Sequence, residues 1–228
     1  MLIKKSLLVI SLLLLFTTAC YFGTFQGART IGKNKVNAKA YTMYPVYFSA
    51  EDKQKAEENL QDFTGIVAAA FVQYGVSRRF DLGVQTTGYS VGIHGKWWAI
   101  MRNDKRHRGL DFAPIIWLNY NLLSEQLDPK VSLVTSIPVY TSNCAYLGYE
   151  GMYAPNSAFM MRALSNIQDF SWNKIVAYRQ YQDALFLGFE ARMGQSKSAW
   201  LPAQATVEFS YPLQNKYPMM LLGISFGY

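Results

Sequence analysis

The chain has 228 residues, half of them apolar, and a formal charge of +7 at pH 7. With only 2 Cys, 16 Gly and 8 Pro, the composition excludes a disulfide-dense secreted module, a collagen-like repeat and a disordered polypeptide. Tyr and Phe are abundant, at 16 and 14 residues, while 16% of residues are charged. Together with a mean hydropathy near zero, this balance favours alternating apolar and polar residues over long apolar runs.

The first predicted element is a targeting segment. Lys4 and Lys5 precede an apolar run from Leu7 to Phe16, and small residues follow it before Cys20. A spanning helix needs about 20 apolar residues and this run is roughly half as long, so we interpret residues 1–19 as a cleaved secretory signal. Cleavage lowers the formal charge from +7 to +5, a surplus too small and too scattered to indicate nucleic-acid binding.

The residues around the cleavage point resemble a bacterial lipobox, since Cys20 directly follows Thr17-Thr18-Ala19. The resemblance implies a thioether-linked diacylglycerol on Cys20; the alternative is an ordinary signal peptide with an incidental cysteine. Tyr21 is not the aspartate that would indicate inner-membrane retention. We therefore expect the bacterial outer membrane as the location, with Cys20 as the anchor.

The rest of the chain alternates with a period of two, as in Val207 and Phe209 against Glu208 and Ser210. Most of the alternating segments have about the 9 to 11 residues that a tilted strand needs to cross a membrane. Ten such segments lie near residues 37–48, 64–74, 79–87, 89–101, 109–120, 131–140, 144–153, 183–193, 202–211 and 218–228. An even count is typical of single-chain bacterial barrels, and counts of eight or twelve satisfy the same rule.

The last strand has an apolar residue at every second position and an aromatic residue at its end. These residues are Met220, Leu222, Ile224, Phe226 and Tyr228. The pattern resembles the C-terminal assembly signal of bacterial outer-membrane β-barrels. It implies that the barrel-assembly machinery is a partner during insertion.

Two further motifs resemble a family of bacterial lipoproteins with outer-membrane-barrel-like domains. The first is Phe25-Gln26-Gly27-Ala28-Arg29-Thr30-Ile31-Gly32-Lys33, close to the pattern F-Q-x-A-R/K-T-L/I-G-K, with Gly27 where Thr is usual. The second is Arg79-Phe80-Asp81-Leu82-Gly83, similar to a strand common in such barrels. The resemblance implies location and architecture and brings no catalytic residues.

Lipid offers no partner for backbone N–H and C=O groups, so a sheet in a bilayer must close on itself. We therefore predict an all-β fold, an antiparallel transmembrane β-barrel of about ten strands over residues 37–228. It follows the signal peptide (1–19) and a lipidated N-terminal linker (20–36). Residues 51–61 are predicted to form a short helix in the first outer loop, and residues 154–182 are left open as a loop, a helix or two strands.

If the apolar face contacts lipid, the intervening polar side chains point into the barrel. The set is Asp81, His94, Lys96, Glu150, Glu190, Arg192, Gln204 and Glu208. These groups either satisfy one another as a filled interior or line a narrow aqueous path. Barrels of about eight strands are filled by side chains and open channels need about sixteen, so a filled interior is favoured.

Aromatic residues near predicted strand ends suit a girdle at the membrane interface, because their rings have an apolar body and a polar tip. The candidates are Tyr44, Tyr47, Phe48, Tyr74, Phe80, Tyr89, Trp97, Trp98, Trp117, Tyr120, Tyr140, Trp200, Tyr211 and Tyr228.

The sequence offers little enzymatic chemistry. His94 and His107 are the two histidines, whereas zinc needs three or four ligands, and no phosphate loop, dinucleotide fingerprint or Cys-x-x-Cys occurs. We expect no metal, no cofactor and no catalysis. The predicted function is an outer-membrane lipoprotein with a structural or surface-interaction role in contact with lipid. The alternatives are a narrow pore, a soluble solute- or lipid-binding barrel tethered by Cys20, and a lipid-modifying enzyme.

Overall fold

The structure is a computed structural model. It describes residues 24–46, 49–51, 54, 67–87, 90–101, 109–122, 125–139, 143–155, 179–192, 204–213 and 219–227. Ten strands lie in these ranges, which confirms the predicted all-β class and strand number. They are β1 (Val36–Pro45), β2 (Val67–Gly75), β3 (Phe80–Thr87), β4 (Ser90–Trp97), β5 (Asp111–Asn121), β6 (Gln126–Pro138), β7 (Cys144–Pro155), β8 (Arg179–Arg192), β9 (Gln204–Pro212) and β10 (Met219–Gly227).

The sheet closes into a barrel in which every strand pairs antiparallel with its neighbours along the chain. Closure is made by β1, which pairs with β2 on one side and β10 on the other. Ala40, for example, lies opposite both Ala70 and Ile224. The first and last strands are therefore joined by backbone hydrogen bonds, as a sheet in lipid requires.

Two strands begin earlier than predicted. β6 starts at Gln126 because Pro129, which lacks an N–H, is accommodated within the strand opposite Leu118. β8 starts at Arg179 because the end of β7 continues to pair with it as far as Pro155. Both extensions lengthen the wall at the end of the barrel opposite the short turn of residues 76–79, which joins β2 to β3.

The two faces of the barrel have opposite character. On β4, Ser90, His94 and Lys96 are buried, whereas Val91, Ile93 and Trp97 are 48%, 59% and 53% exposed. The same inversion runs around the sheet, with Leu133, Leu147, Leu185, Leu187 and Phe209 among the exposed outward side chains. A water-soluble barrel would bury its apolar set instead. The arrangement is that of transmembrane barrels.

Part of the prediction lies outside the described residues. Ala50, Glu51 and Gln54 are helical, and the remainder of the predicted 51–61 helix is not described. Residues 156–178, which form the whole β7–β8 connection, are also outside, so the character of this connection stays open. Within the described ranges, no helix is long and apolar enough to cross a bilayer.

Candidate functional site

The first described residues of the chain lie inside the barrel. We call residues 24–31 the plug: Thr24, Phe25 and Ala28 have no exposed surface, and Gln26 is 1% exposed. The plug starts beside Glu208, near the middle of β9, and runs to the short turn, where the Thr30 hydroxyl donates to the Arg78 carbonyl at 2.7 Å. This part of the predicted N-terminal linker is therefore an interior element.

Glu208 binds the inner end of the plug. Its Oε1 accepts a hydrogen bond from the Thr24 amide at 2.9 Å, and its Oε2 accepts one from the Phe25 amide at 2.7 Å. The Tyr146 hydroxyl donates to the same Oε2 at 2.8 Å. Phe25 has a φ of 52°, uncommon for a bulky residue, and two successive amides directed at one anion form a nest.

The wall also binds the plug backbone at other points. Buried peptide groups need partners, and here wall side chains supply them. The contacts are Lys39 Nζ to the Phe25 carbonyl at 3.1 Å, Lys96 Nζ to the Arg29 carbonyl at 2.6 Å, the Ala28 amide to Ser136 Oγ at 3.1 Å, and the Ile31 amide to Asp81 Oδ2 at 3.1 Å. The wall of the barrel therefore binds the plug largely through the plug's main chain.

Buried ion pairs fill the space beside the plug. Lys39 pairs with Glu190, Lys96 with Asp81 at 3.4 Å, and Lys130 with Glu150 at 2.9 Å. A fourth pair, Arg29 with Asp111 at 3.2 Å, joins the plug to the wall. A buried charge is costly unless it is paired, so these pairs make a charged interior tolerable.

An aromatic layer crosses the lumen next to these pairs. The ring centroids of His94 and Trp117 are 4.3 Å apart, those of Phe25 and Tyr41 are 4.5 Å apart, and the Lys130 ammonium lies 5.0 Å from the Trp117 ring centroid. The described lumen is thus packed with side chains and the plug, as favoured for a narrow barrel.

The girdle prediction is wrong for Trp98 and Trp117. Trp117 is fully buried because it occupies an inward position of β5, and its Nε1 donates to Ser132 Oγ at 3.3 Å. Trp98 is 6% exposed and donates to Asp111 at 3.1 Å. Other aromatic residues near strand ends do face outward, among them Tyr74, Trp97, Tyr120 and Tyr211, each more than 40% exposed.

Most of the predicted interior set is buried: Asp81, His94, Lys96, Glu150, Glu190 and Glu208. Gln204 is half-buried and accepts from the Ser225 hydroxyl at 3.1 Å, and the Arg192 side chain is outside the described part. Of the proposed assembly signal, Met220, Leu222, Ile224 and Phe226 lie in β10, while Tyr228 is not described. Cys20 is also outside.

Three interior groups central to the network were missed. Lys39 alternates with Ala38 and Ala40 within a predicted strand, a signal that was present in the sequence. Lys130 falls outside the predicted strands, because that strand is predicted to start near residue 131. The plug itself had no periodic signal. Among the described residues, no group of three or more His, Cys, Asp or Glu is placed to hold a metal ion.

No protein-family model matches the chain, and no curated protein matches it. Three of the solved structures to which the chain is similar are the following. A de novo designed transmembrane β-barrel has 12% identity and a TM-score of 0.35, with 86% of this chain and 97% of that chain covered. The N-terminal β-barrel domain of Pseudomonas aeruginosa OprF has 10% identity and a TM-score of 0.31, with 86% and 99% covered.

The third is BamA from Haemophilus ducreyi lacking POTRA domains 1–3, at 10% identity and a TM-score of 0.36, with 79% of this chain and 34% of that chain covered. Likenesses at this level concern the fold alone. The environment of this barrel is therefore argued from its own inner and outer faces.

Proposed function

We propose that this chain is an outer-membrane lipoprotein whose small barrel spans the bilayer and serves a structural or surface-interaction role without catalysis. The observation that carries the proposal is the inverted barrel: Leu187 and Ile93 are 58% and 59% exposed on the outside, while Lys96 and Lys130 are buried within. Hydrocarbon suits the apolar side chains of the outer face, and the polar groups of the interior pair with one another. Both faces are therefore in favourable surroundings.

A soluble barrel tethered by Cys20 is disfavoured by the same observation. Water would wet a continuous apolar belt around all ten strands, far beyond the few hundred Å² that monomeric soluble proteins expose. Among the described residues, the ion pairs, the aromatic layer and the plug fill the lumen and leave no space for a solute.

The test is extraction and gel migration. We expect the mature protein to fractionate with outer membranes, to require detergent, and to migrate faster unheated than boiled, since a closed barrel resists unfolding by detergent. A Cys20→Ala variant should lose its acyl group and still require detergent. Release of that variant into the soluble periplasm would contradict the proposal. Altered membrane lipids on overexpression would contradict the absence of catalysis.

A further inference from the structure

We propose that the plug is a displaceable gate, and that the lumen it occupies conducts cations when the plug leaves. This inference rests on the proposed membrane-spanning location. The inference adds an activity to that location, because a segment that fills the lumen can also leave it and return.

The wall network does not depend on the plug for its lysines. Lys39 donates to the plug carbonyl of Phe25 and also pairs with Glu190. Lys96 donates to the plug carbonyl of Arg29 and also pairs with Asp81. When the plug leaves, both lysines keep a carboxylate partner, so these two ion pairs of the wall do not require the plug.

The plug is held by hydrogen bonds, by one partly exposed ion pair, and by buried ring and apolar contacts of Phe25 and Ala28. The Arg29 side chain is 41% exposed where it meets Asp111. Water entering the lumen can replace each amide-to-carboxylate bond, including those of Thr24 and Phe25 to Glu208. The plug is thus bound as a ligand is bound, without strand pairing.

Charge in the emptied lumen favours cations. Among buried side chains in the described ranges, the wall contributes six carboxylates, Asp81, Asp111, Asp128, Glu150, Glu190 and Glu208, against three lysines, Lys39, Lys96 and Lys130. If Arg192 is counted as a fourth cation, the carboxylates still outnumber the cations. The plug offsets it with Arg29 and with amides directed at Glu208 and Asp81. Rings of carboxylates select cations in pores.

The vacated path is narrow. A single peptide segment, bent at Gln26, Ala28 and Arg29, occupies it. An ion that follows this path passes the Glu208 carboxylate and the Asp81–Lys96 and Lys39–Glu190 pairs. We therefore expect small monovalent cations to pass and larger solutes to be excluded.

Cys144 provides a thiol to which the plug can be cross-linked. A Cβ atom built on Gly27 lies 3.4 Å from Cys144 Sγ, 3.2 Å from Glu190 Oε2 and 3.8 Å from Ser136 Cβ. The Cβ–Sγ separation is close to that within a disulfide. A Gly27→Cys variant should therefore cross-link to Cys144 on oxidation and hold the plug in place, and the cross-link should be absent when Cys144→Ser is added.

The experiment measures planar-bilayer currents in a KCl gradient. A variant lacking residues 24–28 should conduct, with a reversal potential that shows K⁺ passing at least several-fold more readily than Cl⁻, whereas wild type should be mostly closed. Adding Glu150→Gln should lower the selectivity. Leu187→Val, on the lipid face, is the control and should behave as wild type does.

Folding is scored separately by heat-modifiable migration, so a failure of the barrel proposal is distinguishable from a failure of the gate. A folded deletion variant that stays silent, or that prefers Cl⁻, would overturn the gate. If the deletion variant does not fold, the Gly27→Cys variant decides. Reduced, it should open under applied voltage and, oxidised, it should stay shut; equal silence in both states would overturn the proposal.

Discussion

Gly188 on β8 is the register partner of Tyr146 on β7, and the Tyr146 ring lies directly over the glycine backbone. A Cβ atom at Gly188 would overlap the ring and its hydroxyl. The missing side chain lets the Tyr146 hydroxyl reach Glu208 at 2.8 Å. Glycines at inward positions thus make room for large interior groups, and the same relationship places His94 over Gly83.

The first prediction concerns this packing. Gly188→Ala should destabilise the barrel by about 1–3 kcal/mol, because the added methyl forces Tyr146 away from Glu208 in a filled interior. Gly95→Ala is the matched control: Gly95 faces outward, and its nearest neighbour would be at 3.4 Å, an ordinary contact. Urea unfolding in lipid vesicles, followed by tryptophan fluorescence, measures both. Equal stability of the two variants would refute the packing argument.

The second prediction concerns the residue that binds the plug. Glu208→Ala removes the acceptor for two amides and one phenol, and hydrogen bonds to charged groups contribute about 1.5–3 kcal/mol each. We expect a lower unfolding midpoint and faster proteolysis of the N-terminal segment. Ser210→Ala is the control on the same face of β9. The Ser210 hydroxyl is buried with no hydrogen-bond partner among the described residues, so this variant should change stability by less than about 0.5 kcal/mol.

The third prediction concerns the outer face. Leu187 lies near the middle of β8 and is 58% exposed. Leu187→Arg should cost about 2–4 kcal/mol, the penalty for an arginine facing lipid at the bilayer midplane. Leu213→Arg should cost at most about 1 kcal/mol, because Leu213 follows the end of β9, where the interface begins. Equal tolerance of both substitutions would mean that water, not hydrocarbon, contacts the wall.

The fourth prediction concerns the anchor. We expect the mature N-terminus to be an acylated Cys20, visible as a diacylglycerol-bearing peptide by mass spectrometry and absent in Cys20→Ala. An unmodified Cys20 would remove the anchor from the account.

The strands were predictable because the two faces of the sheet have different surroundings, and each strand alternates between them. Outward residues such as Leu185 and Phe209 face one environment and inward residues face another. The period of two is therefore visible within each strand's own sequence. The inward assignment of His94 and Lys96 followed from the same rule. Lys130 lies outside the predicted strand, which begins near residue 131, whereas β6 begins at Gln126 and accommodates Pro129.

The plug was not predictable by that reasoning. Phe25 and Ala28 are held by groups more than 100 residues away in sequence, Glu208 and Ser136, and such contacts leave no local period. Trp117 was placed in the interfacial girdle because aromatic type and distance from the strand end were weighed above register. Its inward position, set by alternation with Leu118, decides its burial.

The central claim is that hydrocarbon contacts the outer face and does not reach the inner one. It is tested most directly by fluorescence quenching in vesicles of lipids with brominated acyl chains, using variants that retain only Trp97 or only Trp117. Trp97 is 53% exposed on the outer face and Trp117 is fully buried inside. The account predicts strong quenching of Trp97 and little of Trp117. Equal quenching of both, or none of Trp97, would contradict it.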